Sequence, residues 1–294
     1  MSITPQTGLT TPGRTGKIRF SLKKILLLIA VVLVVLFSIA PILWQILTSF
    51  KVNEDIAAVP SVYFPKRFTF SHYIELFTRR PFWRYILNSA FVSITSTALA
   101  LAIGAPAAYA LARLRPWGER VILASILIVT LFPGILLFLG LLEIIQALRL
   151  GNNYLALIIP YTAINLPLTI LVLKSFFQQL PKDLEDSARV DGYNTFQLLW
   201  QIVLPMTLPA LVTTGILTFI FAWNEFIFAL TFMTREELKT IPVAAAQLGG
   251  ATVFEIPYGA IAAATVLGTL PLVLLVLFFQ RRIVQGLTAG AVKG

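Results

Sequence analysis

Four acids crowd one short stretch of this chain: Asp183, Glu185, Asp186 and Asp191, with Arg189 among them, in the run DLEDSARVDG, out of thirteen acidic residues in all. Clustered carboxylates can pair with basic groups or work as acid and base, and the neighbouring residue types decide which. The chain has no cysteine and a single histidine, His72. That excludes thiol chemistry, disulfides and metal sites built from cysteine or several histidines. There is no G-x-S-x-G elbow, no H-E-x-x-H pair and no pair of carboxylates within one apolar run, so a membrane-embedded enzyme finds no machinery here. GRTGKI at 13–18 has too short a glycine spacing for a phosphate loop, and Ile18 stands where a hydroxyl is needed.

These acids interrupt a chain that is 57% hydrophobic and only 12% charged, with a mean hydropathy of +0.85. A soluble domain carries about 25% charged residues, so the solvent for most of this chain is lipid. Six runs reach the roughly 20 apolar residues that a bilayer requires: 25–47, 85–112, 121–142, 155–177, 208–232 and 259–279. The fold class expected is an all-α integral membrane protein of six transmembrane helices. The first run follows Lys23 and Lys24 and includes Ser38-Ile39-Ala40, as a signal peptide would. Its apolar residues continue to Leu47, which favours a retained anchor. The net charge of +10 lies mostly between apolar runs, the pattern that orients a membrane protein rather than one that binds nucleic acid. Basic residues in the N-terminal tail, at Arg113, Arg115 and Arg120, and at Arg281, Arg282 and Lys293 put both termini in the cytoplasm. Loop 52–84 conflicts with that rule, since it lies outside yet carries Lys66, Arg67, Arg79, Arg80 and Arg84. Trp44, Trp83, Tyr85 and Trp223 suit an interfacial belt. Pro41, Pro106, Pro133, Pro160, Pro167 and Pro271 fall inside the runs and can kink them. The small residues of GAPAAYA and YGAIAAAT let helices approach closely.

Glu225 is the one charge well inside a run. A carboxylate at mid-bilayer costs about 2.5–3.5 kcal/mol, which makes it a functional candidate by default. A helix rising 1.5 Å per residue puts it about 26 Å beyond Leu208, beside Trp223, where it can also reach water. Asn165 and Asn224 are weaker polar candidates for the same pathway or gate.

The acidic stretch reads as two short helices. Pro181 suits a first helical turn, the acids suit the positive end of the dipole, and Gly192 can end the helix in the left-handed conformation. That predicts a helix over 181–191. Asn194-Thr195 caps a second, with Phe196, Leu199, Trp200 and Val203 on one face, Gln197 and Gln201 on another, and Pro205 at its end. An amphipathic helix lying on lipid suits the second helix, but an acidic helix such as the first is repelled by an anionic leaflet, so a protein partner is the better explanation of the knob.

The spacing of the knob resembles the EAA loop of ABC-importer permeases: E-A-A, three residues, G, nine residues, I, one residue, L-P. Asp186-Ser187-Ala188, Gly192, Ile202, Leu204 and Pro205 take those places, with Asp for Glu and Ser for Ala as departures. FAWNEF at 221–226 and the ending QRRIVQGLTAGAVKG resemble the sugar-importer branch, in particular its MalG-like subunits, and the wording of the last third leans to trehalose and maltose systems. The resemblance implies a type I permease: a cytoplasmic tail at 1–24, a transmembrane permease domain at 25–283 with its coupling loop at 181–205, and a cytoplasmic tail at 284–294. It implies that Glu185, Asp186, Ser187, Ala188, Arg189, Asp191, Gly192, Ile202, Leu204 and Pro205 couple to a cytoplasmic ATPase dimer. Leu287, Thr288, Gly290 and Lys293 would touch that ATPase from the C-terminus. Gly249, Gly250 and Phe254 would belong to a loop reaching toward an extracytoplasmic solute-binding protein. A second, MalF-like permease subunit would complete the pathway in the inner, or cytoplasmic, cell membrane. No cofactor is expected on this chain, ATP and magnesium being held by the ATPase. A permease for a non-carbohydrate solute and a membrane scaffold that has lost its ATPase are the alternatives. A secondary transporter would need mid-membrane ionisable groups and an internal repeat, and neither stands out.

Overall fold

The computed structural model describes residues 22–248 and 256–291, with side chains to 280. The chain falls into two units divided between Trp44 and Gln45. In the first, residues 22–44 belong to helix α1 (Leu22–Ser49) and are exposed, as the apolar first run predicts for a helix solvated by lipid.

The second unit is built on three long helices and two broken ones. After α2 (Asn53–Ile56) and α3 (Ser71–Thr78) come α4 (Phe82–Tyr109), the pair α5 (Glu119–Leu131) and α6 (Gly134–Ala147), then α7 (Leu155–Gln179). The acidic stretch forms α8 (Lys182–Val190), α9 (Thr195–Leu198) and α10 (Leu204–Met206). The chain continues through α11 (Leu208–Asn224), α12 (Ile227–Phe232), α13 (Ile241–Ala246) and α14 (Tyr258–Ala291). Helix α4 packs along α7, and α11 lies against α4, α7 and α14. Small residues permit this: a Cβ on Gly104 of α4 would sit 2.5 Å from Thr169 Cγ2 of α7, and Ala105, Ala108, Ala263 and Ala264 are buried.

Four helices are long and apolar enough to cross a membrane, and two bent pairs bring the total to six. The run at 121–142 is therefore not one straight span. It bends by 95° between α5 and α6, where Phe132 and Pro133 are extended. A residue before proline is pushed out of the helical region. The other five prolines lie inside continuous helices, held there by the surrounding bundle. The run at 208–232 is likewise divided, ending at Asn224 and restarting at Ile227. A second bend, of 80°, separates the helical stretch Thr195–Met206 from α11. Two of the expected belt residues are instead interior: Tyr85 and Trp223 are buried, and Trp223 Nε1 donates to Gly268 O at 3.0 Å. Their apolar rings fill the bundle core while each polar atom finds a partner.

Candidate functional site

Loop 181–205 folds into the capped pair its sequence suggests. Helix α8 starts one residue later than expected, with Pro181 extended at its N-cap. Gly192 takes φ +86°, and two bonds close the helix end: Tyr193 N donates to Ala188 O at 3.0 Å and Gly192 N to Arg189 O at 3.1 Å. This is the Schellman arrangement, which needs a residue free of a Cβ at the turn. Asn194 then starts the next helix with a reciprocal box: its Oδ1 accepts from Gln197 N and Gln197 Oε1 accepts from Asn194 N, both at 2.9 Å. Both ends of the turn are thus fixed by hydrogen bonds.

The buried face of the second helix differs from expectation. Leu198, Leu199 and Val203 are buried and Ile202 is partly so, whereas Phe196 and Trp200 are exposed, their rings 5.9 Å apart. Residues Leu199–Val203 form a π turn. The buried or partly buried positions 198, 199, 202 and 203 keep a helical period, but on a face turned away from the one that Phe196 and Trp200 would have lined.

On α8, Asp183, Asp186, Ser187 and Arg189 are exposed, while Glu185 and Ala188 are buried. The expected partner-facing set is therefore split, and Glu185 is turned into the protein. Its Oε1 lies 2.7 Å from Arg113 Nε, off the angles of a hydrogen bond, so that contact is electrostatic. Tyr109 Oη donates to Glu185 Oε2 at 3.3 Å, and Arg113 Nη2 donates to Leu180 O at 2.5 Å. Arg113 lies within a π turn, Ala110–Leu114, at the end of α4. The acidic helix is thus tied to the end of α4 by charge and seated on an apolar cluster that includes Tyr109, Leu173, Phe177, Ala188 and Leu199. Sequence reading used Arg113 only for orientation. The sign of a structural role was its place at the end of a span, four residues after Tyr109.

Glu225 is not a mid-helix charge. It is extended at the break between α11 and α12, where its carboxylate accepts from Phe228 N at 2.9 Å, Ala229 N at 3.1 Å and the Tyr161 hydroxyl. The charge caps the restarted helix. It also lines a cavity of about 600 Å³ with Phe132, Pro160, Phe221 and Phe228, at the elbow of α5 and α6. Asn165 and Asn224 do not line that cavity. Each turns its amide back to its own helix, onto Tyr161 O at 2.8 Å and Ile220 O at 2.9 Å.

At the other end of the bundle, the segment before α13 is pinned to α4. Asn88 Nδ2 donates to Glu237 O and Lys239 O at 2.8 and 2.9 Å, and Ile241 N donates to Ser89 Oγ at 2.8 Å. Glu236 receives the Tyr85 hydroxyl and pairs with Lys239. Burial opposes its ionisation, but those two partners outweigh it and hold the carboxyl below its usual range. Gly249, Gly250 and Phe254 lie outside the described residues. At the C-terminus the backbone is helical through Ala291, so Leu287, Thr288 and Gly290 lie on α14, and Lys293 falls outside the described residues.

The model of the family "binding-protein-dependent transport system inner membrane component" matches residues 100–289. The chain is 39% identical over 285 residues to a sulfoquinovosyl glycerol transport system permease of Agrobacterium fabrum, covering 97% of this chain and 98% of that protein. It is 39% identical over 275 residues to a trehalose/maltose transport system permease of Thermococcus litoralis, covering 93% and 98%. Among solved structures it resembles a chain of a bacterial ABC transporter that imports the acidic polysaccharide alginate, with a TM-score of 0.77, 24% identity, and 92% and 99% of the two chains covered.

Proposed function

The chain belongs to the family of binding-protein-dependent transport system inner membrane components, and from that premise we propose how it couples ATP to uptake. It is a permease subunit of a sugar ABC importer, with ATP hydrolysis on separate ATPase subunits. In our reading loop 181–205 faces the cytoplasm and docks into an ATPase dimer that holds ATP and magnesium. Asp186 pairs there with a basic side chain, and the exposed Phe196 and Trp200 add apolar contact. ATP-driven closure pushes the knob, and the bundle turns between inward-facing and outward-facing states. A MalF-like second subunit forms the other half of the pathway, and a solute-binding protein delivers cargo at the opposite face. The cargo is a small glycoside or oligosaccharide of the trehalose or maltose kind.

One observation supports this coupling most directly. The knob is hydrogen-bonded at its turn and ion-paired at its root, so it transmits displacement instead of absorbing it. The test is uptake by the assembly, co-purified with its partners and reconstituted in vesicles, with trehalose, maltose and a sulfonated glycoside as cargoes. Asp186→Lys should leave the assembly folded and hydrolysing ATP at its basal rate while uptake falls at least tenfold. Unchanged uptake in that variant would sink the docking assignment, and transport of none of the three cargoes would move the reading to another solute.

A further inference from the structure

The basic residues of loop 52–84 that break the orientation rule have a physical explanation in where the loop lies. The apolar run of α1 covers 23 residues, 25–47, about 34 Å at 1.5 Å per residue, so a bilayer core about 30 Å thick ends near Phe50. The loop is fastened at that level. Thr69 N donates to Phe50 O at 3.0 Å, Lys51 Nζ donates to Val62 O at 2.7 Å, and Ser49 Oγ meets the Tyr73 hydroxyl at 2.8 Å. The Phe50 ring packs against Phe70 and Tyr73 at 5.3 Å and against Phe68 at 6.5 Å. A loop held by so many contacts still leaves large apolar side chains outside: Val59, Phe64, Phe68 and Phe70 are 97%, 75%, 72% and 64% exposed. Lys66 and Arg67 stand exposed among them, and residues 56–74 contain no acid. Of the acids that flank this stretch, Glu54 is exposed, Asp55 is buried and accepts from Lys66 N at 2.9 Å, and Glu75 pairs with Arg79 at 2.9 Å. At the start of the next span Trp83 is exposed, with the Arg84 guanidinium 5.2 Å over its ring.

We propose that the segment around Phe64–Phe70 is a membrane-surface anchor. Its phenylalanines enter the headgroup boundary of the extracytoplasmic leaflet, and Lys66 and Arg67 bind the phosphates of anionic phospholipid. Aromatic and basic side chains together, without acids, at the depth where a span ends are what that boundary selects. The positive charge outside is then a lipid ligand and not an orientation signal. An acidic face of the solute-binding protein would also attract these cations, but it would not be met at the depth of the hydrocarbon edge. The proposal rests on the membrane placement of the chain and not on its cargo.

With no native cysteine, single nitroxide labels can be placed in the full assembly. Phe64→Cys is read in nanodiscs of phosphatidylcholine with and without phosphatidylglycerol, against Leu33→Cys in α1 as the lipid reference and Glu237→Cys as the aqueous one. The ratio of oxygen to nickel-chelate accessibility at Phe64 should exceed that at Glu237 several-fold, and rise further with phosphatidylglycerol. Lys66→Gln with Arg67→Gln should abolish that further rise. A ratio equal to that of Glu237 overturns the anchor, and so does a label shielded from both reagents, which would mean that a protein covers it. An aqueous ratio at Leu33 would instead show that the membrane placement is at fault.

Discussion

Arg113 and Glu185 are the residues on which the knob depends, because their side chains are only 7% and 8% exposed at a separation of 2.7 Å. Taking two charges out of water is costly, and removing one of them strands the other, at about 3–5 kcal/mol. Replacing both with apolar groups of similar volume avoids that cost and is often neutral or stabilising, by about 1–4 kcal/mol. Arg113→Met alone should therefore lower the thermal midpoint of the purified assembly by several degrees, and Arg113→Met with Glu185→Leu should return it to near the parent. A double variant no more stable than the single one would show that the pair is not the root of the knob. The resemblance of the spacing to the EAA loop singles out Asp186, and that residue is exposed. The sequence hid the inward turn of Glu185, since four acids along one run look alike until a helix decides which face each occupies.

At the scale of elements, the breaks matter more than the helices. The ends of α8 and α9 were readable because their chemistry is local: a glycine for positive φ, and an asparagine three residues before a glutamine. The break at Glu225 was not, because an apolar run is continuous whether or not the backbone is. Glu225 replaces the carbonyl acceptors that the break removes, by accepting from Phe228 N and Ala229 N. Losing a cap costs about 0.5–2 kcal/mol. Glu225→Ala should lower the thermal midpoint by a few degrees and speed amide exchange at Phe228 and Ala229. Glu225→Gln, which keeps one oxygen acceptor, should lose less. Equal exchange in both variants would mean that the carboxylate does not hold the restart of the helix. The two π turns were also illegible, and period alone does not choose between two overlapping apolar faces, one with Phe196 and Trp200 and one with Leu198 and Ile202.

For the molecule as a whole, the open structural question that sequence and geometry answer together is how many times the chain crosses the bilayer. Helices α5 and α6 have 13 and 14 residues, about 20 Å each at 1.5 Å per residue, so neither covers a 30 Å core alone. If their 95° bend and the 80° bend before α11 made both pairs re-entrant, only four spans would remain. Loop 148–154 would then join Arg113, Arg115 and Arg120 on the cytoplasmic side, and the acidic knob would emerge outside, away from any ATPase. Charge argues against that. The cations cluster in the short loop after α4, and the loop before α7 has Arg149 alone, as six crossings require. The two counts make opposite assignments for Leu148 and Val190, both of which are exposed. In intact spheroplasts a membrane-impermeant maleimide should label Leu148→Cys and leave Val190→Cys untouched until the membrane is opened. The reverse pattern would establish four spans and place the knob where no ATPase could reach it, removing the coupling mechanism along with the topology.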